Sequence, residues 1–251
     1  MTNAIPFRAL RSKRTPVPIQ MKHEGSVGEI FIYDDIGAGF FEDGVTANRF
    51  ASDLKAMGDL ETLNIFINSP GGSVFEGVAI NNIIKRQQAR KIVHIDGIAA
   101  SIASVVAMAG DEIRIANNGM MMIHNPWTVS VGEASELRQA ADNLDKIGES
   151  ITATYVARTT TEKDVITSMM DAETWMTAQE AVDLGFADSI TEAVDVAAMA
   201  KFDLSVFQNT PQILQAEKPA TVELPTAEEL RTATAAATAR IAKMRAEQQA
   251  Y

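Results

Sequence analysis

The chain has 251 residues, 46% of them hydrophobic, which is enough to bury one substantial core, and we expect one domain of enzyme size. It contains 33 acidic and 22 basic residues, and its net charge of -11 argues against nucleic acid as a partner, because binding a phosphate backbone needs clustered cations. The lack of cysteine excludes disulfides, thiolate catalysis and thiolate metal ligands, and is compatible with the reducing cytoplasm, which is our prediction for its location.

No segment of the sequence predicts a membrane span or a secretory signal. The most apolar stretch, residues 97–110, is too short to cross a bilayer and lies between Asp96 and Asp111. The N-terminus carries several basic residues but lacks the apolar core and the cleavage site of a signal peptide. We predict that residues 1–20 form a flexible basic arm.

Hydrophobic periodicity predicts strands that alternate with helices along most of the chain. Short apolar or alternating runs favour strands, and apolar spacings of three and four residues favour helices, as for the face formed by Phe50, Leu54 and Met57. The predicted strands are 28–34, 62–68, 90–96, 111–116 and 120–124, and the predicted helices are 45–57, 73–88, 101–109, 132–157, 161–170 and 177–185. Helices between strands imply crossover connections, and therefore an α/β fold with a largely parallel sheet.

The helix predicted over 132–157 is the longest. Ser130 and Glu133 have the spacing of a capping box at its start. Its apolar stripe consists of Leu137, Ala141, Leu144, Ile147, Ile151 and Tyr155. Such a helix either lies on the core or projects to pair with a partner, and the sequence alone does not choose.

A change in composition separates the C-terminal part from the rest of the chain. We predict a catalytic domain over 21–200, a proline-containing linker over 201–225 and an alanine-rich helix or tail over 226–251. The apolar side of this tail is too thin for a core of its own. We therefore expect it to be partly frayed or to dock on a partner.

The motif NSPGGSV, residues 68–74, links a predicted strand to a predicted helix. Two glycines here let the backbone approach a ligand closely, and amides at the helix start are free to bind an anion. The sequence lacks the glycine and lysine patterns of phosphate-binding loops, which weakens the phosphate interpretation. By itself the motif fits an ordinary turn as well as an oxyanion-binding loop.

Two side chains near this loop are candidates for nucleophilic catalysis. Ser101 stands at the start of a predicted buried helix, where the helix dipole and the Ile102 amide favour an alkoxide and an oxyanion, although an ordinary N-cap is the alternative. His124 ends an apolar strand and is one of three histidines; it is a candidate general base, with a structural role as the alternative. Because sites in parallel sheets gather where the strands end, the co-occurrence of these elements favours catalysis.

Four blocks of sequence, in this order and at similar spacing, resemble the proteolytic subunit of the Clp protease. The blocks are INSPGGSVFEG, GIAASIASVVAMAG, MMIHNP and TAQEAVDLGFADSI, and the resemblance runs from about residue 28 to residue 190. Within that family, AASIAS, IHNPW and ETWMTAQEA look closer to phage and prophage head-maturation proteases than to the housekeeping enzyme. The extended, proline-containing C-terminus points the same way.

The resemblance implies a role for each candidate residue. It makes Ser101 the nucleophile and His124 its general base, with the backbone amides of Gly72 and Ile102 forming the oxyanion hole. These roles agree with the chemistry expected from the residues themselves, in which imidazole takes the serine proton and amides hold the developing negative oxygen.

The third member of the triad is where the sequence departs from the family. The family usually has an aspartate at a fixed offset before the block that reads TWMTA here, and that offset falls on Glu173. A glutamate can also orient an imidazole, with one more methylene to accommodate. Asp171, two residues earlier, could serve if the loop is shifted, so both acids remain candidates.

The resemblance also implies an architecture and an assembly. It implies stacked β-β-α units of the crotonase and Clp type, with the long helix projecting as a handle between the subunits of a homo-oligomeric ring, often of seven and often stacked in pairs. It implies no cofactor, and three scattered histidines offer no spacing for metal ligands. A housekeeping subunit would work with an ATP-driven unfoldase, for which we find no docking signature.

We therefore predict a serine endopeptidase of the head-maturation type, which trims capsid and scaffold polypeptides in the host cytoplasm or the prohead. The alternative is a housekeeping ATP-dependent Clp proteolytic subunit. A further alternative is a non-catalytic scaffolding ring protein, because the identity of the acid is open. An acyl-CoA hydratase of the same fold would use carboxylates and would need no serine and histidine pair.

Overall fold

The computed structural model describes residues 20–37, 44–193 and 202–214. Residues 1–19 of the predicted basic arm, and all of the predicted tail over 226–251, lie outside these residues. In the described part of the chain, no helix has both the length and the hydropathy that crossing a bilayer requires.

The described residues form eight strands and six α-helices, in the order expected for an α/β fold. The strands are β1 Gln20–Glu24, β2 Val27–Ile32, β3 Thr62–Ser69, β4 Arg90–Ala100, β5 Glu112–Ala116, β6 Met120–Ile123, β7 Thr174–Thr177 and β8 Ser189–Thr191. The helices are α1 Ala47–Ala56, α2 Val74–Lys85, α3 Ile102–Ala107, α4 Ala134–Val156, α5 Lys163–Asp171 and α6 Ala178–Asp183, and a 3-10 turn follows at Gln212–Leu214. The predicted mixed α/β class is confirmed.

The eight strands form one sheet, and β4 is its branching strand. The main path runs β1-β2-β3-β4-β5-β8 and is parallel from β2 onward, because helices carry the chain back between these strands. Residues 92–95 of β4 pair with β5, whereas residues 98–100 pair with β6, also in parallel. The last part of β4 therefore leaves β5 and pairs with β6, while Ala99 stays paired with Ser69 of β3.

The core is one continuous cluster of buried apolar side chains that joins strands β2 to β5 with helices α1 to α3. The predicted buried face of α1 is confirmed, since Phe50, Leu54 and Met57 are all buried. Apolar residues at every second position of β3, such as Leu63, Ile65 and Ile67, face this core. Burial of these faces fixes the strand register that brings the ends of β3 and β4 together.

Several predicted element boundaries differ from the observed ones, and the start of the long helix and the end of β4 are two of them. The predicted capping box of the long helix is wrong: Glu133, and not Ser130, is the N-cap residue, and Glu133 and Glu136 form the box. A carboxylate can accept the free amides at a helix start as a hydroxyl does, and it also suits the positive end of the helix dipole. Strand β4 also runs on through the Gly-Ile-Ala-Ala segment to Ala100, beyond the predicted end at 96.

The predicted linker over 201–225 contains a segment that is packed on the domain. Phe202 and Leu204 are only 6% and 5% exposed, and they form a second, small apolar cluster with Ile98 of β4. These apolar side chains supply burial that the proline-containing composition does not suggest. We call residues 202–214 the C-terminal segment.

Candidate active site

Ser101 lies at the turn between β4 and α3 in a strained backbone conformation. Its φ and ψ are 54° and -129°, in a region that side chains with a Cβ rarely occupy. Ser101 stands at the N-cap position, but its side chain makes no capping hydrogen bond. The N-cap alternative therefore describes its place in the chain and not what its hydroxyl does.

The hydroxyl of Ser101 instead meets the imidazole of His124. The distance between Ser101 Oγ and His124 Nε2 is 2.7 Å. The two residues follow β4 and β6, which pair in parallel with Ala100 opposite Met122, and the Ser101 amide donates to the Met122 carbonyl. The sheet therefore brings together the predicted nucleophile and the predicted base at one edge.

The electrostatic surroundings of His124 suit a general base. Burial lowers the pKa of His124 below its ordinary value, because the charged imidazolium loses hydration, and the negative charge of Glu173 raises the pKa against that effect. A lowered pKa keeps the imidazole neutral, and therefore able to accept a proton, at and below neutral pH.

The glycine loop between β3 and α2 lies against the Ser101 turn. Gly71 has a φ of 102°, and a Cβ on it would lie 2.7 Å from the Ser101 Cβ and 3.2 Å from the Ile102 nitrogen. Gly72 has a φ of 140°, and a Cβ there would lie 2.1 Å from the Ile36 carbonyl oxygen. Only glycine fits at both positions, because of the backbone conformation and the lack of space.

The two amides predicted for the oxyanion hole belong to the residue that follows Ser101 and to the residue that follows Gly71, which lies against the serine turn. The Ile102 amide is the first of α3, where amides have no partner within the helix. Among the described residues, the Gly72 amide donates no hydrogen bond, whereas its neighbour Ser73 donates to the Ile36 carbonyl. Neither amide therefore has a hydrogen-bond acceptor among the described residues, and both are free to donate.

The two candidate acids differ in what they contact. Each oxygen of the Glu173 carboxylate accepts one main-chain amide, from Gln208 at 3.0 Å and from Asn209 at 2.7 Å. Asp171 accepts instead from the Asn125 side-chain amide at 2.7 Å. Neither carboxylate hydrogen-bonds His124 within the described part of the chain, but only Glu173 exerts a resolved electrostatic effect on it.

The C-terminal segment contacts His124, and the sequence analysis did not predict this contact. The Phe207 ring contacts His124 edge-on, with 5.6 Å between the ring centroids, and it contacts Trp175 in the same manner at 5.7 Å. The signal available in the sequence was the group of apolar residues Phe202, Leu204 and Phe207 inside the predicted linker.

A cavity of about 330 Å³ opens beside the histidine. Its lining combines apolar side chains with both candidate acids, and it includes residues His124, Pro126, Trp127, Met170, Asp171, Glu173, Val206 and Gln208. A cavity of this size next to a nucleophile and base can receive a substrate side chain. Over the described ranges, no group of histidine and acidic side chains is arranged to hold a metal ion.

The residues brought together can perform acyl transfer. A hydroxyl in contact with a neutral imidazole can attack a carbonyl, and free amides beside it can stabilise the tetrahedral oxyanion. The structure places the Ser101 hydroxyl against His124 and the glycine loop against the serine turn, with the Ile102 amide next in the chain. Of the two candidate acids, only Glu173 has a resolved effect on the His124 pKa.

Comparison with known proteins agrees with this chemistry. The family model described as Clp protease matches residues 28–194. A relative from Chlamydia abortus, named ATP-dependent Clp protease proteolytic subunit 1, is 35% identical over 161 residues, which are 60% of this chain and 84% of the relative. A relative from Bacteroides thetaiotaomicron, named ATP-dependent Clp protease proteolytic subunit, is 30% identical over 153 residues, which are 59% of this chain and 70% of the relative.

The matched region contains the glycine loop, the strained serine, the histidine that contacts it and both candidate acids. Its sheet and helices are those expected of the family fold. The chain belongs to the Clp protease family.

Proposed function

We propose that this protein is a serine peptidase that hydrolyses peptide bonds within polypeptides. The observation that carries the proposal is the 2.7 Å contact between Ser101 Oγ and His124 Nε2, made at a serine whose backbone is strained and whose hydroxyl serves no structural cap. Strained backbone persists where the surrounding structure fixes it, and it concentrates at functional sites.

The reaction proceeds in two acyl-transfer steps. His124 Nε2 takes the Ser101 proton as Oγ attacks the substrate carbonyl, and the amides of Gly72 and Ile102 hold the oxyanion. The carbon–nitrogen bond breaks as the imidazolium protonates the leaving amine, which gives an acyl-serine. Water then attacks the acyl group, His124 accepts its proton, and that proton returns to Ser101 as the carboxylic product leaves.

We propose Glu173 as the carboxylate that supports the imidazolium. Its negative charge favours the protonated ring, whereas Asp171 has no resolved effect on His124. Because its two oxygens accept main-chain amides, Glu173 would act on the imidazolium through its charge and not through a hydrogen bond.

The relatives named above favour the role of a proteolytic subunit that works with an ATP-driven unfoldase. Both are named as ATP-dependent Clp protease proteolytic subunits. In that role the protein would form a homo-oligomeric ring in the cytoplasm, and α4 would contribute to the contact between subunits. The first part of α4 carries exposed apolar residues, among them Leu137 at 43% exposure.

A head-maturation protease that trims capsid and scaffold proteins is the second candidate. It is favoured by the sequence blocks that resemble phage and prophage members, and by a chain that continues well beyond residue 194, where the family match stops. The two candidates share the same chemistry and differ in substrate and partner.

A fluorophosphonate probe tests the shared chemistry. We expect the purified protein to be labelled at one residue, and the Ser101→Ala variant to be unlabelled. An unlabelled wild type of normal fold would identify a non-catalytic ring protein. ATP-dependent degradation of casein with an unfoldase would support the proteolytic subunit, whereas capsid cleavage that needs Ser101 but no ATPase would support head maturation.

A further inference from the structure

We propose that the C-terminal segment, residues 202–214, is a positioning element of the catalytic site, in which Phe207 fixes the His124 ring and the amides of Gln208 and Asn209 fix the Glu173 carboxylate. The inference rests on the proposed function and adds to it residues that lie beyond the family match, which stops at residue 194.

The segment is anchored independently of the residues it would position. Phe202 and Leu204 are buried against Ile98, and Leu214 packs on the same small cluster. Two internal bonds shape the turn between these anchors: the Phe207 amide donates to the Leu204 carbonyl at 3.1 Å, and the Thr210 hydroxyl donates to the same carbonyl at 3.0 Å. The segment therefore has a defined conformation when it meets the site.

Glu173 is held from both sides of its carboxylate. Its φ of 47° is unfavourable for a side chain with a Cβ, so neighbouring contacts must keep the backbone there. The Gln208 and Asn209 amides bind one carboxylate oxygen each, and the Asn209 side chain donates to the Ala172 carbonyl at 2.8 Å. These three hydrogen bonds tie the C-terminal segment to Glu173 and to Ala172, the residue before it.

His124 has one hydrogen bond to a described residue, the bond with Ser101. One hydrogen bond leaves an imidazole free to tilt about it. The edge-on contact of Phe207, itself backed by Trp175, restricts that rotation. A fixed ring keeps Nε2 aimed at the serine hydroxyl, and orientation of this kind is a large part of general-base catalysis.

The segment forms a wall of the cavity beside His124 and leaves the cavity open. Val206 and Gln208 line the cavity together with His124, and its volume of about 330 Å³ remains available. A blocking segment would fill this space. The geometry therefore favours positioning over inhibition.

The test compares variants by the rate of fluorophosphonate labelling of Ser101 and by kcat and KM for a short fluorogenic peptide. We expect Phe207→Ala to lower kcat by roughly tenfold or more with little change in KM, since a positioned base contributes about 10²-fold or more. Ile213→Ala is the matched control, because Ile213 lies in the same segment but is 87% exposed. Gln208→Pro, which removes one amide from Glu173, should be slower than Gln208→Ala, which loses the same side chain from the cavity lining but keeps the amide.

The pH dependence separates positioning from a general loss of structure. The charged groups near the ring are Glu173 and Asp171, and the only charged residue of the segment, Asp203, accepts the Ser205 amide. Phe207→Ala exposes the ring, so the acid limb of kcat/KM should move to higher pH. The same shift should appear in the nitrogen NMR titration of His124, a readout that needs no catalysis.

Three results would overturn the inference. The first is that the Phe207→Ala variant has the same kcat and the same His124 titration as wild type. Another is faster labelling of Phe207→Ala, which would make the segment a block. The last is equal rates for Gln208→Pro and Gln208→Ala. If wild type and Ser101→Ala are both unlabelled, the proposed function fails, and the NMR titration alone then decides whether Phe207 positions the ring.

Discussion

Among the described residues, Ser101 and Glu173 are the only two besides glycines that have a positive φ. Each such conformation costs about 1–3 kcal/mol and needs surrounding contacts to maintain it. The Ser101 conformation is maintained by the hydrogen bond from its amide to the Met122 carbonyl and by the glycine loop. The Glu173 conformation is maintained by the hydrogen bonds that its carboxylate accepts. Backbone strain is therefore located at the two ends of the proposed triad.

The charge on Glu173 should set the pH dependence of the site. Activity is lost as pH falls through the pKa of His124, because the protonated imidazole cannot accept the serine proton. Glu173→Gln removes the charge that raises this pKa, so the acid limb of the labelling rate should move to lower pH while the rate falls by roughly 10²-fold or more. A pH series of fluorophosphonate labelling measures both effects.

Asp171→Asn is the matched control for this experiment. It also removes one negative charge from the cavity lining, but Asp171 has no resolved effect on His124. We expect its acid limb to coincide with that of wild type. A shift in Asp171→Asn and none in Glu173→Gln would assign the acid to Asp171.

The glycine loop offers a second test at the scale of single residues. Gly71→Ala places a Cβ 2.7 Å from the Ser101 Cβ at a φ of 102°, so both the loop and the serine turn must shift. We expect loss of labelling and a fall in the free energy of unfolding of about 1–3 kcal/mol. Urea denaturation and the probe measure these two quantities.

Gly25→Ala is the control that introduces backbone strain without displacing the serine. Gly25 also has a positive φ, 59°, but a Cβ there has no atom within 4 Å. This variant should lose about 1–2 kcal/mol through its backbone conformation alone and should be labelled at the wild-type rate. Equal labelling of Gly71→Ala and Gly25→Ala would show that the loop does not control the serine.

At the scale of elements, α3 is fixed by polar contacts from two other helices. The Asn81 side chain of α2 donates to the Val105 carbonyl at 2.6 Å, and Tyr155 of α4 lies 2.8 Å from the Ser104 hydroxyl. Ser104 in turn donates to the Ser101 carbonyl. The position of the nucleophile therefore depends on side chains well away from the cavity.

Asn81→Ala tests this dependence. It removes one of the two hydrogen bonds that the Val105 carbonyl accepts, the other coming from the Met108 amide, which should lower the free energy of unfolding by about 0.5–1.5 kcal/mol. Asn82→Ala, on the exposed side of the same helix, should change it by less than about 0.5 kcal/mol. Urea denaturation compares the two, and equal values would mean that the Asn81 hydrogen bond adds no stability.

Most elements could be predicted from the sequence because burial gives strong periodicity, as in β3 and α1. The antiparallel strands β1 and β7 could not, since β1 is largely exposed and β7 has only four residues, so neither has a clear pattern. Ser101, His124 and the glycine loop were predicted because each follows a strand. The contact of Phe207 with His124 could not be predicted, because the two residues are distant in sequence and Phe207 lies in a segment of linker-like composition.

At the scale of the whole molecule, α4 divides its apolar stripe between two environments. Ile151 and Tyr155 are buried in the core, whereas Leu137 and Ala141 are exposed. The sequence left open whether this helix lies on the core or projects. In the structure its C-terminal end packs on the core and its N-terminal end is exposed to solvent. The exposed end is suited to contact another subunit in the proposed ring.

Leu137→Asp tests the role of this exposed end in assembly. A charge at the centre of an apolar contact is costly, so the variant should have a lower mass in light scattering after size exclusion, and labelling of its Ser101 should be unaffected or weaker. Gln139→Asp adds the same charge two residues away on a polar, exposed position and should keep the wild-type mass. A wild-type mass for both variants would exclude this part of α4 from the interface.

The branching of β4 has a consequence for how durable the proposed catalytic pair is. Nucleophile and base are carried by neighbouring strands tied through main-chain hydrogen bonds, so their separation follows from the spacing of about 4.8 Å between paired strands. Thermal movement of surface loops cannot easily part them. Separation of the two main chains requires that the sheet itself come apart at β4 and β6, so the two residues should stay in register until global unfolding, and before then only side-chain rotation can part the hydroxyl from the imidazole.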